Sequence, residues 1–137
     1  MSYLLDTNIV SEIAKPKPSA EVLQWLDAMP PTALHMSVLS IGEIRKGVER
    51  LDRGRKKERL RLWLEQVLIG WLEDRILPVD HSVADRWGRL LAAAGRPLAA
   101  IDSLIAATAL AHSLRLVTRN TKDFSGLPDL EIVNPWS

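Results

Sequence analysis

Short apolar runs alternate with helical stretches along the whole chain, and this alternation limits the possible fold more than any other feature. SYLLD, ALHMS, ILPVD and RLVT read as buried strands, and EIV near the C-terminus reads as a fifth. Between them lie helical patterns. NIVSEIAK is stopped by Pro16 and Pro18. SAEVLQWLDAM has Ser19 as its N-cap and ends at Pro30 and Pro31. Ser40 to Leu51 forms the next helix, and Gly54 marks a bend before a longer one from Arg55 to Asp74. SVADRWGRLLAAAG has Gly95 beyond its end, and AAIDSLIAATALAHSL is rich in small side chains that pack closely on a sheet. Strands alternating with helices imply right-handed βαβ units, hence an α/β fold with a mostly parallel sheet covered on both faces. A length of 137 residues suits a single domain spanning 1–137.

Composition removes several kinds of chemistry. Without cysteine there are no disulfides, thiolate metal sites, iron–sulfur clusters or thiol nucleophiles, which fits a reducing cytoplasm. The start, MSYLLDTN, has no basic segment and does not read as a signal peptide. No apolar run approaches the roughly 18 residues of a membrane span, so no membrane partner is expected. Net charge is only +1 but unevenly placed. Arg50, Arg53, Arg55, Lys56, Lys57, Arg59 and Arg61 crowd together, interrupted by Asp52 and Glu58. That segment is either a solvated helix face or a contact for phosphates.

Four acidic residues lie where such a fold gathers side chains. Asp6 and Asp123 each follow an apolar strand-like run, and Glu43 and Asp102 lie near helix starts. In a parallel α/β sheet, strand C-termini and helix N-termini share one edge. Carboxylates brought together there repel one another, and a hard cation keeps them ionised. Each has an ordinary alternative. Asp6 can be a helix cap, although Thr7 or Asn8 can serve instead. Ser40-Ile-Gly-Glu43 has the pattern of a capping box, in which Glu43 reaches back to the Ser40 N–H. Asp102 can complement a helix dipole, and Asp123 can be a loop residue.

No local motif explains the spacing of the four, so their convergence has to come from the fold. The segments LLDTNIVSE, LSIGEIRKGV and PLAAIDSLIAATALAHSLRLVTRNTKDF together resemble the PIN-domain ribonucleases, in particular the VapC and FitB-like toxins of type II toxin–antitoxin pairs. The resemblance covers nearly the whole chain. It implies a three-layer α/β/α sandwich, a site of Asp6, Glu43, Asp102 and Asp123, and polar neighbours at Thr118 and Asn120. It also implies dependence on Mg²⁺ or Mn²⁺ and inhibition by a small antitoxin protein. On this reading the chain is a metal-dependent endoribonuclease toxin and a homodimer, reaching operator DNA only through its antitoxin. Asp6 and Asp102 would hold the main ion, with Glu43 and Asp123 acting through water or on a second ion. Thr118 and Asn120 would orient water or phosphate.

Two other readings stay open: a PIN-like module that grips RNA or operator DNA without cutting, and a nuclease of housekeeping RNA processing. The remaining residues carry less. His35, His81 and His112 have no ligand spacing to one another and read as structural. Trp63, Val67 and Trp71 share a face of a helix that is apolar on nearly every side. We therefore expect part of that helix to pack against a partner chain rather than its own core.

Overall fold

A computed structural model describes residues 1–137. Its centre is a five-stranded sheet in the order β3-β2-β1-β4-β5, with every neighbouring pair parallel. The strands are β1 (Tyr3–Leu5), β2 (Leu34–Ser37), β3 (Ile76–Leu77), β4 (Arg115–Val117) and β5 (Ile132–Val133). Helices α1 (Thr7–Ile13) and α2 (Ala20–Asp27) lead from β1 to β2. Next come α3 (Val38–Glu49), α4 (Arg55–Leu62) and α5 (Ile69–Leu72) before β3. Helices α6 (His81–Ala93) and α7 (Ala100–Ala111) precede β4, and the short α8 (Thr121–Phe124) precedes β5.

Side chains alternate across the pleat, so each strand feeds two cores. Tyr3, Leu5, Leu34, Met36 and Val117 enter one core with Ile9, Val10, Val22, Leu64, Leu68 and Leu72. Leu4 and Leu116 enter the other, under Leu90, Ile105, Ala106, Ala109 and Phe124. Helices therefore cover both faces, giving the expected three layers. Leu4, Leu5 and Met36 are fully buried, as strands closed in on both sides must be.

Expected caps hold at two points. The Ser19 hydroxyl accepts from the Val22 N–H at 3.4 Å. Gly95 lies just past α6 with φ 69°, where a side chain would be strained. Two expectations need correction. First, α3 begins at Val38, and its N-cap is Ser37, whose hydroxyl accepts from the Leu39 N–H at 3.1 Å. Ser40 is therefore inside the helix, and no capping box forms with Glu43. Second, the long helix after Gly54 is not uniform. Between α4 and α5 it widens into a π-helical segment, Trp63–Leu68. The wider turn advances the inward stripe by four residues each time, through Leu64, Leu68 and Leu72, all essentially unexposed. Trp63 and Trp71 pack at the edge of that core, while Val67 points outward at 55% exposure. The two tryptophans and Val67 thus do not form one outward face. His112 is the exposed C-cap of α7.

The strand order places the site. The chain runs from β1 outward through β2 to β3, then returns to the far side of β1 as β4. Connections diverge between β1 and β4, and a crevice opens beyond their C-terminal ends. Asp6 directly follows β1, and Thr118 directly follows β4.

Candidate active site

Asp6 is the most enclosed of the four acids, at 4% exposure. Its N–H donates to the Val117 carbonyl at 2.9 Å and extends the β1–β4 ladder. Its carboxylate caps α1 itself, in place of Thr7 or Asn8, with Oδ1 accepting from the Thr7 N–H at 2.8 Å. Oδ2 accepts from the Thr118 hydroxyl at 2.7 Å and from Asn8 Nδ2 at 3.3 Å. Burial pushes the Asp6 carboxyl above its ordinary range. The bonds from Thr118 and Thr7 pull it down, and the charges of Asp102 and Glu43 push it further up.

Glu43 is held by tertiary contact. The Thr7 hydroxyl donates to Oε1 at 2.6 Å, and the Ser40 hydroxyl sits 2.8 Å from that same Thr7 oxygen. Thr7 and Ser40 were invisible as site residues in the sequence, where both looked like caps. Asp102 lies in the first turn of α7 and is half-buried. Burial raises its carboxyl, and the charges of Asp123 and Glu43 add to the rise. Asp123 lies in α8 and is exposed.

Asp6, Glu43 and Asp102 line a cleft of about 390 Å³ together with Asn8 and Asn120. Asp123 faces Asp102 across an adjoining hollow with Arg96. Asp102 therefore stands between two acidic groups rather than in one tight cage. No three His, Asp or Glu side chains stand close enough together to enclose an ion by themselves. The donor set nevertheless suits a hard cation: it is all oxygen, it is negatively charged, and Asp6 and Asp102 are raised by burial and repulsion that a cation would relieve. Mg²⁺ keeps much of its water shell, so direct contact from one or two carboxylates is enough.

Thr118 is fully buried, and its hydroxyl faces Asp6 rather than the cleft. Its oxygen also accepts from Asn8 Nδ2 at 3.2 Å and from the Asn120 N–H at 3.0 Å. Asn120 lies at the mouth of the cleft, its backbone tied to Thr118. Asn8, read in the sequence only as a possible cap, also accepts from the Arg119 N–H at its Oδ1, at 3.3 Å.

A second groove, of about 330 Å³, runs between α1, α3 and α4 and shares Ser11, Lys15 and Glu43 with the acidic cleft. Lys15, Lys56, Arg59 and Trp63 lie along it. Part of the basic segment is already paired: Lys57 lies 3.9 Å from Glu49, Arg61 bonds Glu58 and Glu65, and Arg59 donates to the Ala14 carbonyl at 3.0 Å. Arg50, Arg53, Arg55 and Lys56 stay exposed. His35 contributes nothing to the cleft; its buried Nδ1 lacks a partner elsewhere on the sheet.

A parallel sheet with carboxylates gathered at its switch point defines an α/β fold with an acidic polar site. The chain belongs to the PIN-domain family, whose model matches residues 3–130. It is similar to Toxin FitB of Neisseria gonorrhoeae, 40% identical over 136 residues and 97% of both chains. It is also similar to VapC ribonuclease Y4jK of Sinorhizobium fredii, 35% identical over 97% of this chain and 96% of that one. Among solved structures, FitAcB from Neisseria gonorrhoeae matches 98% of both chains with a TM-score of 0.88 at 39% identity. VapBC2 from Rickettsia felis, bound to a DNA fragment from their promoter, matches 98% of both at 0.80 and 27%. No helix is long and apolar enough to cross a membrane.

Proposed function

We propose that this chain is an endoribonuclease toxin of a toxin–antitoxin pair, cutting RNA phosphodiester bonds with a divalent cation, Mg²⁺ or Mn²⁺. The observation that carries this reading is the cleft at the β1–β4 switch point, where Asp6, Glu43 and Asp102 face one another and Asp123 adjoins. The names of the relatives, a toxin and a ribonuclease, agree with it.

Asp6 and Asp102 hold the main ion, and Glu43 and Asp123 act through water or take a second. A bound cation supplies an activated water and stabilises charge at phosphorus. The chain's own residues do the rest. Thr118, Asn8 and the Thr7 N–H fix the Asp6 carboxylate, and the Thr7 hydroxyl fixes Glu43. Asn120 orients water or phosphate at the cleft mouth. Lys56 and Arg59 in the adjoining groove take backbone phosphates of the RNA.

The partners follow from the relatives. An antitoxin blocks the cleft, and the assembly meets promoter DNA through it; that VapBC2 of Rickettsia felis is bound to a DNA fragment from their promoter supports the DNA contact. The exposed apolar side chain of Val67 belongs to the surface for a homodimer or for the antitoxin. The protein works in the cytoplasm. The rival reading, an RNA-binding module that does not cut, gives no use for four carboxylates that repel one another. Incubating purified protein with Mg²⁺ and total RNA, then sequencing new ends, tests the choice. Discrete new ends, absent when antitoxin is added, support the toxin reading; intact RNA would favour the binding module.

A further inference from the structure

We propose that Arg119, pinned by Trp136, forms a stacking platform for one nucleobase of single-stranded RNA beside the acidic cleft. This rests on the ribonuclease reading and assigns a subsite to it. Arg119 and Trp136 lie just beyond the paired ends of β4 and β5, where Val117 and Val133 are in register. The Arg119 guanidinium carbon sits 5.0 Å from the centroid of the Trp136 ring. Both residues line the cleft that holds Asp6, Glu43 and Asp102.

Two facts separate this pair from incidental surface stacking. Arg119 makes no direct ion pair: its side chain is exposed, and Glu12 feels its charge only at longer range. The nearby buried carboxylate, Glu12, is already taken by Lys15 Nζ at 2.8 Å and the Ser19 N–H at 2.9 Å. The C-terminus is also fixed. The Trp136 N–H donates to Asn134 Oδ1 at 2.9 Å, and the ring packs against the first core. Trp136 thus backs the Arg119 guanidinium at the wall of the cleft that both residues line. Guanidinium planes stack on unpaired bases, and their donors reach phosphate. A base held there would fix which phosphate lies over the carboxylates. Arg119 is the contact, and Trp136 is a positioning residue.

The test measures binding of a short single-stranded RNA to the full chain in chelator, where nothing is cut. A set of RNAs, each with one base removed from its ribose, locates the stacked position. Wild type should lose roughly 5- to 150-fold in affinity at one position. Arg119→Met should lose that sensitivity and lower the salt slope by about 0.7. Arg119→Lys should keep the slope yet lose the sensitivity, since it retains charge without the plane. Trp136→Leu should weaken binding, with Arg119→Met adding little on top of it. Melting curves of each variant control for folding. Equal sensitivity in wild type and Arg119→Met, or no sensitive position at all, overturns the platform. Cleavage by wild type in Mg²⁺ is scored separately: its absence defeats the ribonuclease reading, whereas its presence with an insensitive base scan defeats only the platform.

Discussion

Replacing Thr118 by valine removes one hydroxyl from a fully buried position and little else, so its cost can be worked from the contacts. At neutral pH the Asp6 carboxylate loses a 2.7 Å bond to its Oδ2. A hydrogen bond to a charged group contributes about 1.5–3 kcal/mol. Asn8 Nδ2 and the Asn120 N–H lose their acceptor too, but both residues reach the cleft, where water replaces it. The sum is about 2–4 kcal/mol. A chain of this length has an unfolding entropy of ~0.29 kcal/mol/K, so Tm falls by about 7–14 °C. The loss depends on pH. Burial already holds Asp6 above its ordinary range, and the Thr118 bond is the strongest pull downward. A raised carboxyl favours folding while protonated, and that advantage is lost as pH rises through its folded value. Without the hydroxyl the rise is greater, so the defect grows with pH. In acid it shrinks toward the roughly 0.5–1.5 kcal/mol of a neutral bond. Thermal melts of wild type, Thr118→Val and Thr118→Ser from pH 4.5 to 8 check this. A loss independent of pH, or Thr118→Ser as damaged as Thr118→Val, would mean that the hydroxyl bond to Asp6 does not set the cost.

Asp102→Asn should stabilise the fold at neutral pH and lose that advantage in acid, because burial and then Asp123 and Glu43 hold Asp102 up. Asp102 is half open to water, so the gain is below about 1 kcal/mol, read as a small rise in Tm at pH 7 and none near pH 3. Reversing Arg53, Arg55 and Lys56, which carry no partner, should weaken RNA binding and flatten its salt slope by about 0.7 per lost phosphate contact; an unchanged slope would make the segment a solvated face. Trp71→Ala should cost about 2–4 kcal/mol, because the ring packs on the first core. Val67→Asp should spare stability yet lower dimer or antitoxin affinity, measured by titration beside melts; the reverse pattern would move the interface elsewhere.

The strands and their parallel pairing were legible because both faces of the sheet are covered, which makes each strand a plain apolar run. Asp6 and Asp102 were legible as site candidates because strand ends and helix starts share one edge. The support around them was not. Thr7 meets Glu43 across the fold, between α1 and α3, and no local pattern encodes that contact. Ser40 and Glu43 had the right spacing for a cap, but extended backbone at Ser37 started the helix earlier and left Glu43 free for the cleft. The Trp63–Trp71 helix was misread because Trp63 and Trp71 pack at the edge of the first core, which leaves Val67 as the exposed member of the three. Arg119 and Trp136 meet only because β4 and β5 pair in register.

On the proposed function, these carboxylates hold a divalent cation with which RNA is cut. Its most direct test compares RNA cleavage by wild type in Mg²⁺, by wild type in excess EDTA, and by Asp102→Asn in Mg²⁺, each with a melting curve. Cleavage is expected only in the first, with recovery when Mg²⁺ is restored after chelation and a variant at least as stable as wild type. Undiminished cleavage in EDTA or by Asp102→Asn would contradict it.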